Sequence, residues 1–104
     1  MKTFFCKLVP PRPTFAQDMS DAEARLMQAH ATYWKGLMDD GLVVGFGLVA
    51  DPAGAYGIGI VEVADDAAVE TLTDNDPTIR SGQGFSFQVF LMPRGIVHPP
   101  RHGA

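Results

Sequence analysis

The sequence predicts one α+β domain with the element order β-α-β-β-α-β. Three observations carry this. Four short β-biased segments are bounded by proline or glycine, two segments repeat apolar residues at helical spacing, and a capping signal precedes each of those two.

Thr3 to Val9 is apolar and β-biased, and Pro10-Pro11-Arg12-Pro13 ends it, because proline cannot donate to a sheet ladder. Ser20-Asp21-Ala22-Glu23 has the form of a capping box, with Ser20 closing a helix end and Glu23 reaching back. Leu26, Met27, His30, Tyr33, Trp34, Leu37 and Met38 then recur at spacings of three and four, a helix stripe that runs to Met38 with Gly41 as its stop. Leu42 to Ala50 and Tyr56 to Ala64 read as two strands of a hairpin around Asp51-Pro52-Ala53-Gly54-Ala55. Asp65 or Asp66 caps a second helix carried by Ala68, Val69 and Leu72, which stops near Asp76 because Pro77 disfavours helical geometry in the residue before it. Ser81-Gly82-Gln83-Gly84 leads into a last strand, Phe85 to Met92.

This order is the split unit of a ferredoxin-like fold, with helices on one face of a four-stranded antiparallel sheet. The other face stays apolar. Phe85, Phe87, Val89 and Leu91 alternate with Ser86, Gln88, Phe90 and Met92, and neither set is a charged, solvated face. An exposed patch of that kind marks an interface, and a homodimer through the sheet face is the expected cover.

The 104 residues make one domain, 1–93, followed by a proline-containing tail, 94–104. Eight basic and twelve acidic side chains give a net charge of −4 and a pI near 5.1. That balance offers no basic field for nucleic acid or an anionic membrane. No apolar run approaches the ~20 residues of a membrane span. The first residues lack the apolar core of a signal peptide, and a single cysteine excludes an internal disulfide, so a reduced, cytoplasmic location is expected.

His30 is the most informative position. It interrupts the apolar stripe where leucine would serve solubility, and an imidazole near pH 7 both gives and takes protons. A core histidine satisfied by one hydrogen bond is the plainer reading. Asp76, in Thr73-Asp74-Asn75-Asp76-Pro77, would fix the tautomer of that imidazole, although a turn aspartate before proline is also ordinary and Asp74 is an equal rival by spacing. Arg12, between prolines, and Arg80, beside the glycine-rich loop, are candidate guanidinium anchors for an anion; each reads equally as a surface arginine.

Other signals are weak. Glycines 45, 47, 57 and 59 lie inside strands and do not form a dinucleotide fingerprint; they mark close approach or room for a ligand. No Walker loop or nucleophile elbow is present. His98 and His102 have a zinc-like spacing, but Pro99 and Pro100 break any helical presentation, so no metal is expected. Cys6 reads as a small buried hydrophobe.

Leu8-Val9-Pro10-Pro11-Arg12-Pro13-Thr14-Phe15, then Met27-x-x-His30-x-x-Tyr33-Trp34-x-x-Leu37-x-x-x-Gly41, resembles the YCII-related family. The resemblance continues through Gly47-x-Val49-x-Asp51-Pro52-x-Gly54-x-x-Gly57 and closes with Asp76-Pro77 and Gly84-Phe85. Leu48 departs from it, standing where many relatives have proline. The resemblance implies a dimeric ferredoxin-like α/β barrel, with an active site built on His30 and Asp76 and not on Asp74. It also implies chemistry on small compounds, since one branch removes chloride from a chlorinated hydroxyhydroquinone.

The expected function is therefore a cofactor-independent lyase or isomerase acting on a small anionic or aromatic compound. His30 is the expected general acid–base and Asp76 its orienting partner, with Arg12 and Arg80 for anionic groups and Tyr33, Trp34 and Phe46 walling an apolar pocket. The alternative is a non-catalytic ligand-binding or regulatory dimer with the same pocket. A third reading makes the His–Asp pair a structural pin between helix and turn.

Overall fold

The computed structural model describes residues 1–95; the tail beyond, with His98 and His102, lies outside the described residues. Its elements are β1 (Lys2–Val9), α1 (Phe15–Asp18), α2 (Asp21–Asp39), β2 (Val43–Val49), β3 (Tyr56–Val63), α3 (Asp66–Asp74), α4 (Pro77–Arg80) and β4 (Ser86–Met92). The four strands form one sheet in the order β2-β3-β1-β4, every neighbouring pair antiparallel. This is the ferredoxin-like arrangement: the outer strands β2 and β4 each follow a helical segment, and β1 and β3, which precede those segments, lie at the centre.

Local chemistry sets the helix ends. Ser20 Oγ accepts from the Glu23 amide at 3.1 Å, and Glu23 Oε1 accepts from the Ser20 amide at 2.9 Å, so the capping box at the start of α2 is closed. At its other end Gly41 takes φ +81°, the Gly41 amide donates to Met38 O at 2.9 Å and the Leu42 amide to Leu37 O at 3.0 Å. That paired bonding is a Schellman stop, and Leu37 and Leu42 both pack against the same core. Asp65, not Asp66, caps α3, accepting from the Ala68 amide at 2.9 Å.

Two short helices depart from the sequence reading. Pro13 does not open a simple connection: the chain turns through α1, which buries Phe15 against Phe85 in an edge-to-face pair 5.3 Å apart. The second helix, α3, does stop near Asp76, at Asp74, and Asp76 before Pro77 is extended as expected; the addition is α4. Pro77 occupies its first position, where the missing N–H costs nothing.

Phe4, Cys6 and Leu8 of β1 and Val61 and Val63 of β3 face the helices, with Trp34, Val69 and Leu72 packed above them. Burial pushes the Cys6 thiol up to about 11, as expected of an inert, apolar cysteine. On the opposite face the register sets Phe5 between Ile60 and Phe90, with Lys7 between Ile58 and Gln88 one step along. Phe5 and Phe90 lie 6.3 Å apart, and Phe90 is 53% exposed. The open face is thus apolar at its centre, flanked by Lys7, Gln88 and Glu62. Among the described residues no helix is long and apolar enough to cross a membrane.

Candidate functional site

The site begins with the Asp-Pro step. Because Pro77 starts α4, Asp76 becomes its cap, and the side chain turns inward beneath α2. Asp76 is fully buried, at 0% exposure. Its Oδ1 accepts from the Thr78 amide at 2.8 Å and from Thr78 Oγ1 at 2.7 Å. Its Oδ2 lies 2.6 Å from Trp34 Nε1 and 2.7 Å from His30 Nδ1. Indole and backbone N–H groups only donate, so each oxygen accepts at least one hydrogen bond, the pattern that favours an ionised carboxylate. Burial alone would push it up; the hydrogen bonds from His30 and Thr78 outweigh that and hold it below the ordinary aspartate range.

That assignment decides the histidine. With Asp76 ionised, Nδ1 of His30 carries the proton and donates it, leaving Nε2 as the working nitrogen: a base when neutral, an acid when protonated. The His30 side chain keeps 14% of its surface. Among the described residues Nε2 has no hydrogen-bond partner, and no buried polar side-chain atom lacks one, so Nε2 meets the surface. Asp76 cannot touch a ligand, since all its acceptor positions are filled; it positions His30 and would stabilise an imidazolium.

Trp34 is brought to this cluster, but as core and not as a pocket wall. It is 1% exposed, packed on Phe46 at 6.2 Å and Phe87 at 6.0 Å, because its ring fills the gap left by Gly59. Phe46 reaches the site only through Trp34. Tyr33 points away: its hydroxyl donates to Leu72 O at 2.6 Å, and its ring lines a separate groove between α2 and α3. Asp74, the rival of Asp76, is exposed at the end of α3.

The two arginines differ: Arg12 has its guanidinium taken by carboxylates, and Arg80 spends one donor on an amide. Arg12 binds Glu23 through Nη1 at 2.9 Å and Nη2 at 2.8 Å, and donates from Nε to Asp18 Oδ1 at 2.8 Å. The reason is local: α1 and the start of α2 bring two carboxylates to the end of β1, and the planar fork suits paired oxygens better than a distant anion. Arg12 holds the Glu23 carboxyl down to about 2, an effect of hydrogen bonding at the surface. Arg80 is exposed at the end of α4 and donates to Asn75 Oδ1 at 3.1 Å. Thr78 is the member that sequence reasoning missed. Its signal was present in Asp76-Pro77-Thr78, a cap, a first-position proline and a second-position hydroxyl. No group of three or more metal-ligating side chains is found among the described residues.

A ferredoxin-like α+β domain with a histidine of its first long helix tied to a buried aspartate is the class that fold and site define. The chain belongs to the YCII-related domain family, whose sequence profile matches residues 3–93. No curated protein matches it in sequence. Among solved structures it is similar to 5-chloro-2-hydroxyhydroquinone dehydrochlorinase from Burkholderia phenoliruptrix AC1100, solved as a complex with 2,5-dihydroxybenzoquinone. The match has a TM-score of 0.62 at 19% identity and covers 88% of this chain and 95% of that one.

Proposed function

We propose that this chain is a cofactor-independent enzyme of the lyase or isomerase type, in which His30 moves a proton on a small aromatic or enolisable compound. The observation that carries the reading is the saturation of Asp76 by four donors, which leaves His30 Nε2 as the one atom of the pair able to exchange protons with a ligand. A neutral His30 would take a proton from an acidic carbon or hydroxyl, Asp76 would stabilise the imidazolium, and the same nitrogen would return the proton at a neighbouring atom or to a leaving group. General acid–base work of this kind is worth ~10²–10⁴-fold in rate. The dehydrochlorinase of like fold lends support, because it is named for a reaction on a one-ring hydroxylated compound. Because Arg12 is occupied by Glu23 and Asp18, an aromatic substrate fits this chain better than one recognised by a strong carboxylate clamp.

The working unit in this reading is a cytoplasmic homodimer closed over the open sheet face around Phe5 and Phe90, as in an α/β barrel. One observation favours a second reading. Asp76 also caps α4 and holds Trp34, so the pair would be kept as scaffolding in a dimer that binds a small ligand without turning it over.

The deciding experiment follows solvent deuterium into a panel of one-ring enols and hydroxyquinols, 5-chloro-2-hydroxyhydroquinone included, by NMR. Wild type should exchange or convert at least one member, and His30→Gln should lose at least 100-fold of that rate with its circular dichroism unchanged. Undiminished turnover in folded His30→Gln removes His30 from the chemistry. Binding without exchange in wild type establishes the second reading.

A further inference from the structure

Two glycines on the helix-facing side of β3 are treated differently by the fold. At Gly59 the ring of Trp34 occupies the place a side chain would take. At Gly57, two residues earlier on the same face, no α2 side chain comes so near: the nearest atoms to an added Cβ are Leu8 Cβ at 3.5 Å, Gly47 O at 3.8 Å and Leu8 Cδ2 at 3.9 Å, ordinary contacts. The space above it is a cavity of about 220 Å³, walled by Leu8, Phe15, Met27, Leu48 and Phe85 and lined by no residue of the His30–Asp76 pair.

We propose that this cavity is a binding site for a small uncharged ring, a monocyclic aromatic or a compact branched hydrocarbon group. Size and chemistry both select that class. An apolar protein cavity of about 150 Å³ holds benzene, and water does not settle where it finds no polar partners. Among the described residues Tyr56 is the only lining residue with a polar side chain, so a carboxylate or ammonium placed there would lose its hydration without replacement. The mouth is apolar as well. Leu48 is 70% exposed and Met19 is 37% exposed at the rim. Met19 and Met27 are unbranched and adjust to the shape of an occupant. The site stands whether or not His30 turns over a substrate.

The test titrates toluene, and benzoate as its charged counterpart, into the full-length protein with methyl-labelled Leu and Met followed by NMR. Toluene should give saturable shifts at Leu8, Met27 and Leu48, and benzoate should bind at least tenfold more weakly. Gly57→Val, whose methyls enter the cavity, should weaken toluene at least tenfold while leaving the rest of the spectrum native. His30→Gln should bind toluene as wild type does, which separates this site from the acid–base reading. The proposal is overturned by the absence of saturable shifts, by equal affinity for benzoate, or by undiminished binding in folded Gly57→Val. Should Gly57→Val fail to fold, the wild-type comparison of toluene with benzoate still decides. Leu48 shifts that follow protein concentration alone, with toluene excluded, assign the mouth to a second copy and overturn it too.

Discussion

Trp34 lies directly over Gly59, so that a Cβ added to the glycine would fall 2.7 Å from Cη2 of the indole and closer still to Cζ3. This contact sets the depth of α2 above the sheet. It also sets where the indole N–H arrives, 2.6 Å from Asp76 Oδ2. Gly59→Ala should therefore lift Trp34 and cost about 1–3 kcal/mol by overpacking, read by urea unfolding. Gly57→Ala, with no Cβ contact shorter than 3.5 Å, should stay within about 1 kcal/mol of wild type. Equal losses at the two positions would mean that Trp34 does not rest on Gly59.

Asp76→Asn should cost about 3–5 kcal/mol, since it breaks a fully buried pair and turns an amide N–H₂ towards donors already in place. The sign with pH follows from the lowered carboxyl. The folded state holds Asp76 below the ordinary aspartate value of ~3.9, so the unfolded chain binds the proton more tightly there. Its contribution is complete above that value and is lost as pH falls through it towards the folded one. The stability gap between wild type and Asp76→Asn, measured by denaturant titration from pH 7 to pH 2, should narrow at the acid end. A constant gap would contradict an ionised Asp76.

Trp34→Phe keeps the ring over Gly59 but removes one donor from Asp76 Oδ2. It should cost about 1.5–3 kcal/mol, as for a hydrogen bond to a charged group. It should also raise the pH at which acid unfolding begins, monitored by far-ultraviolet circular dichroism, because the carboxylate is less well held.

Glu23 serves two masters, the Ser20 amide and the Arg12 guanidinium. Glu23→Gln retains the capping geometry and loses only the ion pair at the surface, whereas Glu23→Ala loses both. Thermal melts should rank wild type above Gln above Ala. The gap between wild type and Gln should close in high salt, while the gap between Gln and Ala persists.

Phe90 is the most exposed aromatic at the centre of the open sheet face. If the proposed dimer closes there, Phe90→Glu should halve the mass measured by sedimentation at micromolar concentration. A wild type that sediments as a monomer, or a Phe90→Glu dimer, would place any association elsewhere.

Element order was legible because each signal is local. Ser20 and Glu23 close their box within four residues, and Gly41 takes its positive φ where the stripe ends. The two short helices were not legible. α1 and α4 have four residues each, too few for a periodic stripe, and proline reads as a terminator unless the cap before it is weighed.

At the site, residue types alone picked out His30 and left Asp74 and Asp76 level; the family resemblance separated them, and the fold shows why. The Asp-Pro step starts α4 and turns Asp76 inward, while Asp74 stays on the surface. Arg12 and Trp34 show the limit from the other side. A guanidinium between prolines says nothing of the two carboxylates that α1 and α2 bring to it, and an indole on an apolar stripe says nothing of the glycine beneath it.

By itself the sequence determined the architecture and the chemical identity of the acid–base candidate, because capping, periodicity and turn chemistry act within a few residues. Tertiary structure decided which nitrogen of His30 is bonded and which is left open, which aspartate holds it and which glycine leaves a cavity. Each of those depends on side chains at least 25 positions apart meeting at hydrogen-bond or van der Waals distance, with His30 and Asp76 separated by 46.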